Sequence, residues 1–338
     1  MRTTRNATLH RTMAGTLLAL ILTGAGCGAP GEEATEQVTQ ALLPQREGIP
    51  ETQVRAESTF PGAAYFNDIL YVSYIGTDSR INVMRRVNGV WYKTILQEWV
   101  MDVGTGSRDV ALSVYQGQLY LSWLGTDPSH TLNVRRSSDG INWPDSEKFQ
   151  AIPPAGEVFH YPQTMVVYGD RLNVFLQVGY NTFKQFVFNS SKVLEATAYM
   201  WNADADMMSA AVLGNDLVLG WQVGNARIKT KKFVPGNGWS LTVETGWYES
   251  GTFVTASTWP PSLMYVGFTD ENRDWDERPF EILILQTENG TGFRWRKTLP
   301  DTSRAVVRAI RATAGEVEFA WVGKNSTLNV NVGGVYLP

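Results

Sequence analysis

The chain has 338 residues, of which 18% are charged and 43% are hydrophobic, and its formal net charge is −4. This weakly acidic balance does not favour a nucleic acid or an anionic membrane surface as partner. The single cysteine, Cys27, excludes an intrachain disulfide framework. The histidines have no second histidine or cysteine at metal-ligand spacing, so neither a metal nor a cofactor is predicted.

The first 26 residues have the organisation of a secretory signal peptide. They hold three of the 29 basic residues and none of the 33 acidic ones, and an apolar run extends over residues 13–22. That run is too short for a membrane-spanning helix. The rest of the chain then carries 26 basic and 33 acidic side chains, a net charge of −7. An exported protein is predicted.

The segment around Cys27 resembles the lipobox at which bacterial lipoproteins are cleaved and lipidated. Small residues stand directly before Cys27, and a lone cysteine has no other evident use in an exported chain. Gly24 stands where a lipobox favours leucine, so a secreted or periplasmic protein is the alternative. By the same resemblance, Gly28 in place of an aspartate implies an outer-membrane lipoprotein that meets the membrane only through its lipid anchor.

Composition divides the chain into three segments. A signal peptide over residues 1–26 is followed by residues 27–45, which are polar, acidic and poor in aromatics, as is typical of a flexible, disordered tether. The remaining segment, residues 46–338, is longer than one simple hydrophobic core usually serves unless the fold is a repeat.

A repeat of about 50 residues runs through this last segment. The string LYVSYIGTD at residues 70–78 returns as LYLSWLGTD at residues 119–127, an offset of 49 residues, and each copy is followed by Asn-Val and two arginines. Weaker copies bring the number of units to six. Their aligned positions are Gly76, Gly125, Gly179, Gly224, Phe268 and Gly323.

The units also carry tight-turn signals in a fixed order. One precedes the repeated strand, as at Asn67-Asp68, and another follows the next strand, as at Asn88-Gly89. Such pairs supply the positive φ angles of two-residue β-hairpins, so each unit is predicted to be a meander of four antiparallel strands. Six meanders around an axis form an all-β, six-bladed β-propeller of four-stranded antiparallel blades.

Closure of the ring is predicted to involve the start of the folded segment. Only six residues follow Val332, too few for a full outer strand of the last unit. Residues 46–58 are therefore expected to fill that place by strand addition.

Residues 136–143, RSSDGINW, resemble the Asp-box hairpin of sialidases and related propellers, Ser-x-Asp-x-Gly-x-x-Trp, with one residue missing between Asp139 and Gly140. In that superfamily the box lies on the turn between the third and fourth strands, as it does here. The resemblance implies a sialidase-like propeller in which Asp139 accepts backbone N–H groups of its own turn. The arginine triad and the tyrosine nucleophile of sialidases have no match, so no catalytic residue is assigned.

Strand direction places the loops between second and third strands on the same face as the connections between units. This face, here called the upper face, mixes indoles, carboxylates and guanidiniums. Aromatic rings stack on sugars, and Asp and Arg side chains hydrogen-bond to vicinal hydroxyls or carboxylates. The charged insertion at residues 270–278 is the longest of these loops. The predicted ligand-binding residues are Trp99, Arg108, Asp109, His160, Tyr161, Trp201, Trp247, Tyr248, Arg273, Trp275 and Arg304.

Structural interpretations compete with binding at several repeated positions. Trp123, Trp221 and Trp321 recur in the second strand and are predicted to be core residues. Asp78 and Asp127 recur with their turn and are predicted to be turn residues rather than ligand contacts. The acidic insertion is interpreted as a solvated loop rather than a calcium site.

Two functions remain open from the sequence. The first is a surface-exposed, lectin-like propeller that binds a glycan or a cell-surface partner protein through its upper face, which the export signal, the anchor and the aromatic loops favour. The alternative is a sialidase-like glycoside hydrolase that uses an upper-face pair of carboxylates roughly 5–10 Å apart.

Overall fold

The computed structural model describes the backbone of residues 45–50, 52, 54, 61–99, 109–179, 182–201, 207–223, 227–234, 236–245, 254–257, 264–270, 280–287, 294–313, 316–323, 326–332 and 335–336. Side chains are described for most of these residues up to 242 and, beyond that, for residues 310, 318–323 and 326–331. The chain divides into two compact units, Met1–Leu42 and Leu43–Pro338. The predicted signal peptide, the lipidation site Cys27 and most of the predicted tether lie outside the described residues.

The first two sheets are antiparallel meanders in chain order. A short strand, β1 (Gln45–Gly48), precedes them. The first sheet contains β2 (Gly62–Phe66), β3 (Ile69–Ile75), β4 (Arg80–Val87) and β5 (Val90–Trp99). The second contains β6 (Ala111–Tyr115), β7 (Gln118–Leu124), β8 (Leu132–Ser137) and β9 (Lys148–Ala151), with a 3₁₀ turn, Asp145–Glu147, before β9.

The third and fourth sheets follow the same plan. The third contains β10 (Phe159–Tyr168), β11 (Arg171–Val178), β12 (Thr182–Phe188) and β13 (Leu194–Trp201). The fourth contains β14 (Met207–Leu213), β15 (Asp216–Val223) and β16 (Arg227–Val234), and its outer strand is split into β17 (Gly238–Trp239) and β18 (Val243–Thr245), which both pair with β16.

The last sheet contains eight strands. They are β19 (Val254–Ser257), β20 (Met264–Asp270), β21 (Phe280–Thr287), β22 (Arg294–Thr313), β23 (Glu316–Gly323), β24 (Leu328–Val332), β25 (Val335–Tyr336) and the N-terminal β1.

The prediction of six separate blades was wrong in number, because the described strands form five sheets. The difference arises at β22, which runs unbroken for 20 residues. Its first half pairs with β21 and its second half with β23, and Ser303 lies opposite a residue of each. Pro300 falls at a register shift, so it is accommodated in a bulge rather than ending the strand. The fifth and sixth sequence units thereby share one sheet.

The sheets are arranged in a ring. The first strand of each sheet packs against the first strand of the next, β2 against β6, β6 against β10, β10 against β14 and β14 against β19. β19 contacts β22, and β22 contacts β2, which closes the circle. The predicted fold class, an all-β propeller of small antiparallel sheets, is confirmed. No helix among the described residues is both long enough and apolar enough to span a membrane.

The turn chemistry that the sequence analysis predicted is present. Asn67 and Asp68 have φ angles of 50° and 59°, and Asn88 and Gly89 have 51° and 81°. Two successive positive φ angles match the right-handed twist of the flanking strands, which is what a two-residue hairpin requires. Both of these predicted turns are therefore confirmed as two-residue hairpins of the first sheet.

The second strand of each of the first three sheets is covered on both faces. β3, β7 and β11 are buried along almost their whole lengths. Trp123, Trp221 and Trp321 are at most 1% exposed, so their predicted core role is confirmed. Apolar clusters fill the spaces between neighbouring sheets; for example, Trp123 packs with residues of the first sheet, and Trp221 packs with Phe183 of the third. The hydrophobic core is thus divided among the spaces between sheets.

Tyrosine hydroxyls join neighbouring sheets on the face opposite the upper face, here called the lower face. Tyr115 donates to the carbonyl oxygen of Asp170 (2.5 Å), and Tyr168 donates to that of Asn215 (2.9 Å). In both cases a tyrosine at the end of the first strand of one sheet bonds to the first turn of the next sheet. Tyr71 similarly donates to the carbonyl oxygen of Asp139 (3.2 Å). Each bond fixes one sheet relative to its neighbour.

β1 brings the N-terminal part of the folded unit to its C-terminal part. It pairs antiparallel with β24, from Gln45 opposite Val332 to Gly48 opposite Asn329. Glu47 also reaches the first sheet, because its carboxylate accepts hydrogen bonds from Arg86 (2.9 Å) and Trp91 (2.6 Å).

The residues after β1 continue this attachment. Ile49 and Val54 are 0% and 2% exposed. Val54 bonds to the carbonyl oxygen of Ser326 and forms an isolated bridge with Gly76 of the first sheet. The segment from residue 45 to residue 54 therefore contacts both the last and the first sheets.

A chain that starts at residue 55 is expected to be less stable than one that starts at residue 43. Burial of Ile49 and Val54 contributes about 1.5–3 kcal/mol each, so the melting temperature should fall by on the order of 10 °C. Glu47→Gln, which keeps the strand but loses the charge opposite Arg86, should cost only about 1–2 kcal/mol. Thermal unfolding followed by circular dichroism measures the melting temperatures of the two truncated chains and of Glu47→Gln. Equal melting temperatures for the two truncated chains would contradict ring closure by this segment.

Candidate functional site

The upper-face turns of the first two sheets are closed by their own side chains. The carboxylate of Asp78 accepts the N–H of Arg80 (3.1 Å), and that of Asp127 accepts the N–H of Thr131 (3.0 Å). Burial would raise the pKa of Asp127, but hydrogen bonds from Ser129 and Thr131 outweigh it and hold the pKa below its usual value. The predicted role of both aspartates as turn residues is confirmed.

Glycine is required where these turns begin. A Cβ at Gly76 would lie 2.5 Å from the carboxylate of Asp78, and one at Gly125 would lie 2.4 Å from that of Asp127. A side chain at either position would therefore force the aspartate that closes the turn to move. The recurring Gly-Thr-Asp string is explained by this packing.

Asp109, a predicted ligand-binding residue, is fully buried. Its carboxylate accepts the N–H of Gln163 (3.2 Å), while the side chain of Gln163 donates to the carbonyl oxygen of Asp109 (2.8 Å). Gln163 also accepts a hydrogen bond from Ser122. Asp109 thus joins the second sheet to the third, and the structure gives it a structural position rather than a surface one.

His160 and Tyr161, two further predicted residues, lie at the upper end of β10. The pairing of β10 with β11 shifts between His160 and Gln163, so Tyr161 and Pro162 form a bulge without cross-strand partners in the ladder. Proline has no N–H to give to a ladder and is compatible with such a site. Bulges change the direction of nearby side chains, and both His160 and Tyr161 are half-buried at the rim.

His130 supports this rim from the second sheet. It has a φ of 53°, and its Nδ1 lies 2.9 Å from the carbonyl oxygen of Phe159. Its ring meets that of His160 edge to face, with 6.1 Å between centroids. Burial, and secondly the nearby His130, lower the pKa of His160, so His160 is neutral at pH 7 and offers one donor and one acceptor.

A carboxylate, a lysine and a tyrosine meet beside these histidines. Glu157 precedes β10, and its two oxygens bind Lys184 Nζ (2.9 Å) and the hydroxyl of Tyr199 (2.7 Å). Lys184 of β12 and Tyr199 of β13 are direct cross-strand partners. The lysine side chain is 4% exposed, whereas Tyr199 is 41% exposed. Lys184 is therefore held inside, and Glu157 and Tyr199 lie at the surface above it.

Aromatic rings surround the lysine ammonium. Lys184 Nζ lies 4.6 Å from the ring centroid of Tyr199, 5.7 Å from that of Phe159 and 5.6 Å from that of Phe186. A buried ammonium needs such partners because desolvation is costly. We call this site the upper seam, and it comprises His130, Glu157, His160, Tyr161, Lys184 and Tyr199.

The electrostatics of the upper seam suit hydrogen bonding more than acid catalysis. Burial would raise the pKa of Glu157, but the hydrogen bonds from Tyr199 and Lys184 lower it overall. Glu157 is therefore ionised at neutral pH and accepts hydrogen bonds, with its charge balanced by Lys184. Within the described residues no group of three or more His, Cys, Asp or Glu side chains is arranged to hold a metal ion.

The remaining predicted ligand-binding residues are described in part or not at all. The backbone places Trp99 and Trp201 at the last residues of the outer strands β5 and β13, opposite Arg80 and Thr182. Arg304 lies in β22 next to Ser303. Residues that lie outside the described part of the chain are Arg108, Trp247, Tyr248, Arg273 and Trp275.

Lys184 and Tyr199 were missed by the sequence analysis because that analysis looked for ligand contacts in loops. Both residues lie inside strands, near their upper ends. A usable signal existed when the units are aligned on the hairpin turns before their repeated strands rather than on Gly76, Gly125 and Gly179. Lys184 occupies a third-strand position that is asparagine in the first two units, at Asn82 and Asn133.

The turn that resembles an Asp-box lies on the lower face. Asp139 accepts the N–H groups of Ile141 and Asn142 (2.8 Å each), as predicted. The N–H of Asn142 contributes most to lowering the pKa of Asp139 to about 2, against an opposing effect of burial, and Ile141, the Asn142 side chain and Ser137 contribute further. This carboxylate orders a turn and takes no part in the upper face.

Asp139→Asn is expected to lower the melting temperature most above about pH 5. The folded-state pKa of Asp139 is depressed, so its stabilising effect is complete above the ordinary value of 3.8 and is lost as the pH falls towards about 2. The difference in melting temperature between wild type and variant should therefore shrink between pH 4 and pH 2. Calorimetry across this range measures it, and a difference that stays constant or grows on acidification would refute the assignment.

Comparison with solved structures shows that the fold belongs to the β-propeller class. The α-L-arabinofuranosidase Arb93A from Fusarium graminearum matches with a TM-score of 0.62 and 12% identity, over 86% of this chain and 97% of that one. The lectin SapL1, solved with α-methyl fucoside, matches with a TM-score of 0.57 and 15% identity, over 80% and 89%. Aleuria aurantia lectin, a six-bladed β-propeller with fucose recognition, matches with a TM-score of 0.58 and 12% identity, over 85% of this chain and 96% of that one.

At these identities the likeness establishes the fold alone. No protein-family model matches the chain, and no curated protein matches it.

Proposed function

We propose that this protein is an exported β-propeller that binds a glycan through the upper seam. The observation that carries the proposal is the arrangement of Glu157, Lys184 and Tyr199. An ionised carboxylate held in place by a buried lysine presents acceptors for sugar hydroxyls, next to a tyrosine ring that is 41% exposed. The neighbouring imidazole of His160 supplies a further donor and acceptor.

The structural neighbours support this proposal. SapL1 and Aleuria aurantia lectin were solved with fucosides or are described as recognising fucose, and their propeller fold matches most of this chain. Fold likeness alone does not transfer a ligand. The fold likeness is nevertheless consistent with glycan binding, which the side chains of the upper seam support independently.

A sialidase-like or other glycoside hydrolase is the second candidate. The matching fold of an arabinofuranosidase and the Asp-box resemblance at residues 136–143 favour it. General acid catalysis requires a carboxyl group with a raised pKa. The pKa values of Asp127 and Glu157, both on the upper face, are lowered instead, and this supports binding over hydrolysis at these two groups.

We further propose that the protein is displayed at the outer membrane by a lipid on Cys27. The signal-peptide pattern of residues 1–26 and the lipobox resemblance support this placement. A ring on a tether over residues 27–45 would present its upper face to glycans or partner proteins at the cell surface. Metabolic labelling with a fatty acid tests the anchor: wild type should be labelled and Cys27→Ala should not.

Glycan binding is expected to weaken by roughly tenfold, about 1.4 kcal/mol, in Tyr161→Ala. The reason is that Tyr161 lies in the bulge of the upper seam, where loss of its ring removes an aromatic contact. The matched control is Tyr92→Ala, since Tyr92 is 46% exposed on the outer strand β5. A glycan array followed by calorimetric titration of the full-length protein in mild detergent measures both, and equal affinities for the two variants would argue against the upper seam.

Aryl-glycoside turnover separates the two candidate functions. The protein should bind a glycan saturably without releasing the aryl group. Turnover that is abolished by Glu157→Gln would instead establish a hydrolase.

A further inference from the structure

The upper seam presents hydrogen-bond acceptors in a fixed place. Glu157 ends a tight turn, because its N–H donates to the carbonyl oxygen of Pro154 (2.9 Å) and Gly156 has a φ of 89°. Its side chain is held as well, since one carboxylate oxygen accepts a hydrogen bond from Lys184 (2.9 Å) and the other accepts one from Tyr199 (2.7 Å). The carboxylate therefore cannot turn away from the surface without breaking these bonds.

This carboxylate keeps acceptor capacity for a ligand. An ionised carboxylate offers about four lone-pair sites on its two oxygens. Lys184 and Tyr199 take up one site on each oxygen, and the side chain of Glu157 is 26% exposed. Each oxygen can therefore accept a further hydrogen bond from the solvent side. Two hydroxyl groups on adjacent carbons of a sugar ring are the matching donors.

The positive charge of the upper seam is withheld from a ligand. The side chain of Lys184 is 4% exposed, and its ammonium lies 4.6–5.7 Å from the centroids of the three aromatic rings that surround it. An anionic ligand could reach this ammonium only by displacing Glu157, which would break a largely buried ion pair. Burial lowers the pKa of His160, so its imidazole supplies no positive charge at pH 7.

The charge that the upper seam exposes is thus the negative charge of Glu157. A sugar carboxylate would approach this group without gaining a cationic partner, and like charges brought together in a binding site cost free energy. An uncharged sugar brings hydroxyl donors and meets no such repulsion. A site for an acidic sugar would need the opposite arrangement, with an exposed guanidinium or ammonium group that pairs with the carboxylate of the ligand.

We infer that the upper seam selects uncharged sugars that carry adjacent hydroxyl groups and rejects sugars that bear a carboxylate, such as uronic and sialic acids. This inference rests on the proposed glycan binding and specifies the class of sugar. Glu157 is the residue that determines the selection. Lys184 is a positioning residue, because it holds the Glu157 carboxylate in place from below.

Matched pairs of methyl glycosides test the inference. The full-length protein in mild detergent is titrated calorimetrically with methyl glycosides of glucose, galactose and fucose, and with those of glucuronic, galacturonic and N-acetylneuraminic acids. The two uronides differ from the glucoside and the galactoside only by a carboxylate in place of a hydroxymethyl group. Wild type should bind an uncharged glycoside at least roughly tenfold more tightly than any of the acids. This preference should shrink when NaCl is raised from about 50 mM to about 500 mM, because salt screens the repulsion.

Glu157→Gln separates charge from shape. The variant keeps the size of the side chain and leaves Lys184 without a carboxylate partner. It should bind the uncharged glycoside roughly tenfold more weakly than wild type does, and it should no longer discriminate against the acids. The matched control is Glu195→Gln, which removes the same charge near the opposite end of β13 from Tyr199. This control should keep both the affinity and the preference of wild type.

The outcomes for the inference and for the proposed function are distinct. A wild type that binds a uronide or the sialoside at least as tightly as the uncharged glycosides would overturn the inference while leaving glycan binding intact. A folded Glu157→Gln protein that still rejects the acids as wild type does would overturn it as well. The measurements on wild type decide the matter if that variant does not fold. A wild type that binds none of these glycosides would count against the proposed function, and the inference would fall with it.

Discussion

The structure depends on the burial of each sheet on both faces. The second strands β3, β7 and β11 have apolar residues pointing to both sides, and a strand of this kind is stable only when another layer covers each face. One sheet cannot provide that for itself, and a row of sheets would leave its two end faces exposed. A closed ring covers both faces of every sheet. The N-terminal segment contributes to this closure because it is attached to both the last and the first sheets.

The upper and lower faces of the ring have different roles. On the lower face, tyrosine hydroxyls such as those of Tyr115 and Tyr168 bond to the next sheet's turns, and Asp139 orders its own turn. These groups are engaged in holding sheets together. On the upper face, the first two sheets close their turns with the side chains of Asp78 and Asp127, whereas the third sheet places a buried Lys184 below the partly exposed Glu157 and Tyr199.

Much of this architecture follows from the sequence because its causes are local. Hairpin positions depend on residues such as Asn67 and Asp68, whose positive φ angles are set by the turn itself. The buried tryptophans follow from apolar second strands at regular spacing. The number of sheets was not predictable in the same way, since it depends on whether β22 breaks at Pro300 or continues through a bulge. A proline at residue 300 is compatible with a strand end and with a bulge.

The site was less predictable than the fold. Loop residues were chosen by chemical type. This choice selected His160 and Tyr161, which lie at the upper end of β10, but also Asp109, which is buried and bonded to Gln163 of another sheet. Lys184 was overlooked because ligand contacts were sought in loops, whereas Lys184 lies inside β12. Its meaning appears only when equivalent positions are compared, since the same place holds Asn82 and Asn133 elsewhere.

The central claim is that the upper seam is where this protein meets its ligand. The most direct measurement is a crystal structure of the protein grown with the methyl glycoside that it binds. We expect electron density for a sugar within hydrogen-bond distance of the Glu157 carboxylate and against the ring of Tyr199. A sugar bound at the turns closed by Asp78 and Asp127 or on the lower face, with none at the upper seam, would contradict this placement.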